Sequence, residues 1–237
     1  MPSVARYEQI QTRRWHRYGD AAAVEHAAVT TIMRAAEQAI KARAAFHIVL
    51  AGGTTPRRVY EALRHIQTDW SAWHVYFGDE RCLPQDHPER NSRMAASAWL
   101  EHVSIPSAQI HLIPAEQGAE HAAASYAATL DKVMDFDLVL LGLGEDGHTA
   151  SLFPGRDAGT ALDAPATLPV ADAPKPPPQR VSLSARRLSA AHQVMFLVTG
   201  SGKAQAVKDW QSDQVIPAAQ IKPECGVDIY IEAALLA

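Results

Sequence analysis

Only two of the 237 residues are cysteines, Cys82 and Cys225. Two isolated thiols make neither a metal pattern nor a disulfide framework, so the expectation is a cytoplasmic protein with reduced thiols. No apolar run is long enough to span a bilayer. The stretch Met1–Glu8 lacks the apolar centre of a signal peptide. A basic excess is missing as well: the formal net charge is −4, which gives neither nucleic acid nor an anionic membrane a reason to bind. There is no Gly-x-Ser-x-Gly nucleophile elbow, since Ser201 sits in Thr-Gly-Ser-Gly without the flanking pattern. There is no His-Glu-x-x-His or cysteine cluster for zinc. These absences remove the familiar serine-hydrolase, zinc-hydrolase, membrane and nucleic-acid classes.

What is present is an ordinary globular mixture, 47% hydrophobic and 20% charged, suited to a single domain over residues 1–237. Val24, Ala28, Ile32, Ala35 and Ala39 recur at steps of three and four, which predicts a helix over 20–43 with Asp20 as N-cap. Apolar runs predict strands at 46–51, 73–77, 110–113, 137–143, 192–198 and 227–231. Helical spacing follows Pro56, spans about 92–102 and 119–134, and resumes after Lys203. Strands alternating with helices predict an α/β fold, a mostly parallel sheet covered on both faces. Seven of the 15 prolines fall between Pro154 and Pro178, and this stretch reads as an extended loop or excursion. There is no internal repeat.

Parallel sheets bind ligands at the carboxyl ends of their strands, and four motifs fall there: Gly52–Pro56, Gly78–Arg81, Gly142–His148 and Gly200–Lys203. The third, GLGEDGHTASLFPG, contains a literal Gly-x-Gly-x-x-Gly. A dinucleotide loop needs bare amides facing a pyrophosphate and a long helix behind them. Here Glu145 and Asp146 would set carboxylates where phosphates belong, and Pro154 arrives too early for a long helix. The reading is a tight turn that presents Asp146 and His148, with His148 as a general base. Gly52-Gly53-Thr54 opens a helix and can cradle an anion. Arg81, Arg180 and Lys203 add positive charge suited to a phosphate monoester. Cys82 beside Arg81 reads as a small packed thiol.

In this order the motifs LAGGTTPRRVYEAL, VYFGDERCLPQDHPERNSRMA, DLVLLGLGEDGHTASLFPG, PKPPPQRVSL and FLVTGSGKAQAV resemble the 6-phosphogluconolactonase family. The resemblance covers most of residues 50–207. It departs in Thr54, where serine is usual, and near the end, where Tyr230 and Glu232 replace a common tryptophan and aspartate.

The resemblance implies a Rossmann-like fold shared with glucosamine-6-phosphate deaminase and ribose-5-phosphate isomerase, with no metal and no organic cofactor. It implies His148 as the base that activates water, and Gly52, Gly53, Thr54, Arg81, Arg180 and Lys203 as the holders of a phosphorylated sugar lactone. Either Asp146 or Glu145 would orient the imidazole. Asp79 would bind sugar hydroxyls or orient Arg81, and Asn91 would organise the same loop. A monomer or weak homodimer is expected. Two rivals are a deaminase, whose family places a further acid after the histidine where Thr149–Pro154 has none, and a sugar-phosphate sensor, for which the first 20 residues leave no room for a DNA-binding module.

Overall fold

The first regular element is one that the apolar pattern does not announce. In the computed structural model, which describes residues 11–236, Arg13–Tyr18 forms strand β1. Its sequence RRWHRY has no apolar run, because β1 is an edge strand that pairs on one side with the last strand. The stretch Met1–Glu8 lies outside the described residues.

Helix α1, Ala21–Arg43, begins where expected: Asp20 accepts the Ala23 amide at 2.8 Å and supplies one of the donors' missing partners. Its face of Val24, Ala28, Ile32, Ala36 and Ala39 is buried, with Ala36 in place of the expected Ala35, which is half-buried. Strand β2 (Phe46–Leu50), helix α2 (Thr54–Leu63) and strand β3 (Trp73–Phe77) follow. After the short strand β4 (Asp79–Arg81) come α3 (Asn91–Ala98), α4 (Ala119–Leu130) and β5 (Leu138–Gly142). The remainder is β6 (Thr167–Val170), β7 (Arg180–Leu183), α5 (Ala185–Ser189), β8 (Val194–Val198), α6 (Ala204–Gln211) and β9 (Val227–Glu232).

Six strands form a parallel sheet in the order β1-β9-β8-β5-β2-β3. Leu138–Leu141 and all five residues of β8 are buried in succession, which requires cover on both faces. From β2 the chain steps outward to β3 and returns to β5 on the other side of β2. The loops after β2 and β5 therefore diverge, and the crevice between them is the topological switch point where such sheets take their ligands.

Three expectations are corrected. Residues 110–113 give only a single parallel bridge, Ile110 with Val75, because the run is too short to extend past the β3 edge. Helix α4 stops at Leu130, and Met134, which the expected helix included, is exposed. The proline-rich excursion contains strand β6, which joins β7 and β4 in a second, antiparallel sheet ordered β4-β7-β6. Pro169 fits in β6 because that strand lies at an edge, where its missing donor is not needed. No helix among the described residues is long and apolar enough to cross a membrane.

Candidate active site

The turn after β5 is built around one contact. His148 Nδ1 lies 2.5 Å from Asp146 Oδ1, and Asp146 also accepts the His148 amide at 3.2 Å. Burial pushes the Asp146 carboxyl up, but the bonds from the His148 ring and amide outweigh it and hold the carboxyl below its ordinary value of 3.8. An ionised Asp146 requires the imidazole proton on Nδ1, which leaves the Nε2 lone pair as the basic position. The side chain of His148 is 20% exposed, enough for water to reach it.

The glycines serve this imidazole. A Cβ at Gly144 would stand 2.0 Å from His148 Nδ1, so the ring lies directly over that residue. Gly147 has φ +82°, and a Cβ there would meet Ile216 at 2.7 Å. Two of the three glycines of the apparent dinucleotide signature are thus covered by side chains, not opened toward a pyrophosphate. No long helix follows; Thr149 and Leu152 close an antiparallel bridge.

Arg180, on β7, is 6% exposed. Its Nε donates to the Pro177 carbonyl at 3.2 Å, and Nη2 to the Lys175 and Pro176 carbonyls at 2.9 and 3.3 Å. Burial lowers its pKa, with Asp79 opposing and Arg81 adding to the effect. No acceptor meets Nη1 among the described residues, so a desolvated cation keeps donors for a ligand. Arg81 is its cross-strand neighbour; Nη1 of Arg81 donates to the Glu89 carbonyl, while its buried Nε has no partner among the described residues.

Asp79 is buried and makes no hydrogen bond to Arg81 among the described residues. Its carboxylate accepts Asn91 Nδ2 at 2.9 Å and Ser151 Oγ at 2.6 Å. Asn91 in turn packs its Oδ1 against Gly52, where a Cβ would stand at 2.0 Å. Asp79 therefore ties three loops together, those after β2, β3 and β5; each charge-assisted bond of this kind is worth about 1.5–3 kcal/mol. Its neighbour Glu80 accepts the Asn91 and Ser92 amides, both at 2.8 Å, and so caps α3.

Gly53 is the N-cap of α2 with φ +108° and offers no side chain, so the first amides of α2 are without a side-chain cap. Thr54 beside it is exposed, and Thr55 Oγ1 meets Thr199 Oγ1 at 2.5 Å across to the end of β8. There the Gly200 amide donates to Glu232 Oε1 at 2.7 Å. The divergent C-terminal acid thus shapes the Gly200–Lys203 loop. Lys203 is half-buried, and no carboxylate pairs with it among the described residues. Glu145 does not orient His148: it lies against Gly202 and faces Lys175 Nζ at 3.5 Å.

The structure thus groups all the expected site residues at one end of the sheet, while turning Asp79 and Asn91 inward as organisers of the loops. Ser151, Phe153 and Glu232 were not singled out for the site by their sequence. Ser151 and Phe153 resemble any small polar and aromatic pair in a turn, and no local signal separates them. Among the described residues no group of three or more His, Cys, Asp or Glu side chains is arranged to hold a metal ion. Burial raises the pKa of the half-buried Cys82 thiol, with Arg90 opposing, which makes it a poor nucleophile.

Comparison with known proteins identifies the family of the chain. The family described as glucosamine-6-phosphate isomerases/6-phosphogluconolactonase matches residues 19–230. A 6-phosphogluconolactonase of Synechocystis sp. is 39% identical over 214 residues, covering 85% of this chain and 87% of that protein. The crystal structure of 6-phosphogluconolactonase from Thermotoga maritima is similar with a TM-score of 0.85 at 26% identity, covering 93% of this chain and 100% of that one. A monomeric glucosamine-6-phosphate deaminase has a TM-score of 0.80 at 18% identity, covering 94% and 98% of the two chains; that likeness is one of fold alone.

Proposed function

The chain belongs to the glucosamine-6-phosphate isomerase/6-phosphogluconolactonase family, and from that premise we propose that it hydrolyses 6-phospho-D-glucono-1,5-lactone to 6-phospho-D-gluconate with His148 as general base. A six-membered lactone is an activated ester, so a covalent nucleophile is unnecessary. The observation that carries the assignment of His148 is its pairing with Asp146 above Gly144, at the switch point, with the Phe153 ring between it and the buried Arg180.

In this reading the dianionic phosphate is gripped by Arg180, Arg81 and Lys203 together with the opening turn of α2. Remote binding energy then fixes the carbonyl relative to His148. Nε2 removes a proton from water as its oxygen attacks C1; Asp146 stabilises the imidazolium that forms. Backbone amides of a glycine turn stabilise the oxyanion. Collapse of the tetrahedral intermediate breaks the bond from C1 to the ring oxygen, which takes the proton from Nε2. His148 returns to its starting tautomer, and the new carboxylic acid ionises.

The test is hydrolysis of freshly prepared 6-phosphogluconolactone, measured as acid release and corrected for the spontaneous reaction, beside an ammonia-release assay with glucosamine 6-phosphate. Lactone turnover without ammonia release supports the reading. Ammonia release, or lactone loss no faster than the blank, ends it.

A further inference from the structure

Asp146 belongs to the same tight turn as His148, so their bond fixes the tautomer of the imidazole without fixing where the turn stands relative to the cations. Two buried residues downstream supply that second restraint. Ser151 donates its hydroxyl to Asp79 on β4 at 2.6 Å, and its amide to Ser182 Oγ on β7 at 3.2 Å. Phe153, 3% exposed, forms with Val170 and Ala173 an apolar cluster separate from the main core. Its ring centroid lies 5.0 Å from that of His148, tilted by 46°, and 5.6 Å from Arg180 Cζ. One aromatic ring therefore touches the imidazole on the large sheet's loop and the guanidinium on the small sheet.

We propose that Ser151 and Phe153 are positioning residues, a strut that holds the His148 imidazole at a set separation from the Arg180 guanidinium so that base and phosphate anchor move as one body. The inference rests on the lactonase reading above. The physical reason for an aromatic residue is rigidity: a flat ring with two side-chain torsions contacts both neighbours at once, and its negative face suits a cation. Leucine would fill less of the gap and leave the imidazole room to turn about its own torsions. Ser151 sets the backbone that carries the ring, through two bonds to neighbouring strands of the small sheet.

The experiment compares wild type with Phe153→Leu and Ser151→Ala, reading kcat and KM for the lactone. It also follows the His148 Nδ1–H signal in protein with ¹⁵N-labelled histidine, identified by its loss in His148→Ala. Because the Phe153 cluster is separate from the main core, Phe153→Leu is expected to fold, as far-ultraviolet circular dichroism would report. The expected result is a broadened or shifted His148 signal, lower kcat and higher KM together, with kcat/KM down on the order of 10²-fold for a displacement near 1 Å. A sharp, unmoved signal with wild-type kcat and KM in both variants would overturn the strut. A moved signal with undiminished turnover would uphold the strut and overturn His148 as the base, which separates the two failures.

Discussion

The two ends of the parallel sheet hold imidazoles in opposite ways. At the carboxyl end a single ring, His148, is hydrogen-bonded to the carboxylate of Asp146. Nearer the amino ends of β2 and β3, His47, His74 and His111 stand with Tyr76 as nearly parallel plates beside a cleft of about 500 Å³. The His47 and His74 rings are 4.6 Å apart at 15°, and those of Tyr76 and His111 are 4.4 Å apart at 9°. Among the described residues no carboxylate hydrogen-bonds to these rings; His47 instead meets the Tyr76 hydroxyl at 3.2 Å. Burial, then repulsion from neighbouring imidazoles for His47 and His111, lowers all three below the ordinary 6.5, with Asp137 opposing at His47. The difference lies in the neighbours and not in the residue type: the proposed base has a carboxylate bonded to Nδ1, and these rings do not.

The comparison breaks most directly at His148. Replacing it with alanine is expected to lower kcat by on the order of 10²–10⁴-fold, while His74→Ala leaves kcat within a factor of a few. Equal losses at the two positions would erase the distinction. Gly144→Ala comes next: its Cβ would stand 2.0 Å from Nδ1, so the ring must leave its place. A kcat loss on the order of 10²-fold is expected, with a circular dichroism spectrum like that of wild type. Normal turnover would mean that the ring does not work from this position.

Substitutions among the cations should act on KM instead. Arg180→Met removes charge-assisted bonds worth about 1.5–3 kcal/mol, so KM for the phosphorylated lactone should rise roughly 10- to 100-fold. Lys203→Met, with its side chain less enclosed, should raise KM less. A fall in kcat alone for either would argue that the phosphate sits elsewhere.

The smallest effect belongs to the amino-end cluster and is read as stability. The unfolded histidines take up protons as pH falls through 6.5, whereas their folded counterparts resist doing so. Unfolding therefore binds protons in that window, and stability declines as pH drops below about 6.5 and is regained above it. Urea midpoints at pH 7.5, 6 and 5 should fall in that order, and less steeply in a His47→Gln, His74→Gln variant. An identical slope in the variant would remove the cluster from the account.

Much of this molecule was legible in its residues. The burial face of α1, the Asp20 cap and the runs at β2, β3, β5, β8 and β9 follow from periodicity and turn chemistry that act within a few residues. So did the placement of four glycine motifs at one edge. Strand β1 escaped because an arginine-rich edge strand has no apolar alternation to show. Strand β6 escaped because its proline reads as a loop signal until the strand is known to lie at an edge.

By itself the sequence determined the alternation of strands and helices, the tight turn that offers a histidine beside an acid, and the collection of positive side chains near strand ends. Only the folded chain decided that Asp146, not Glu145, accepts the hydrogen bond of the imidazole, that Asp79 faces Ser151 from 72 positions away, and that Phe153 stands between His148 and Arg180. Short-range propensities are properties of neighbouring residues. Which donors remain free for a ligand depends on partners brought together across the whole chain, and that is settled only when the sheet has formed.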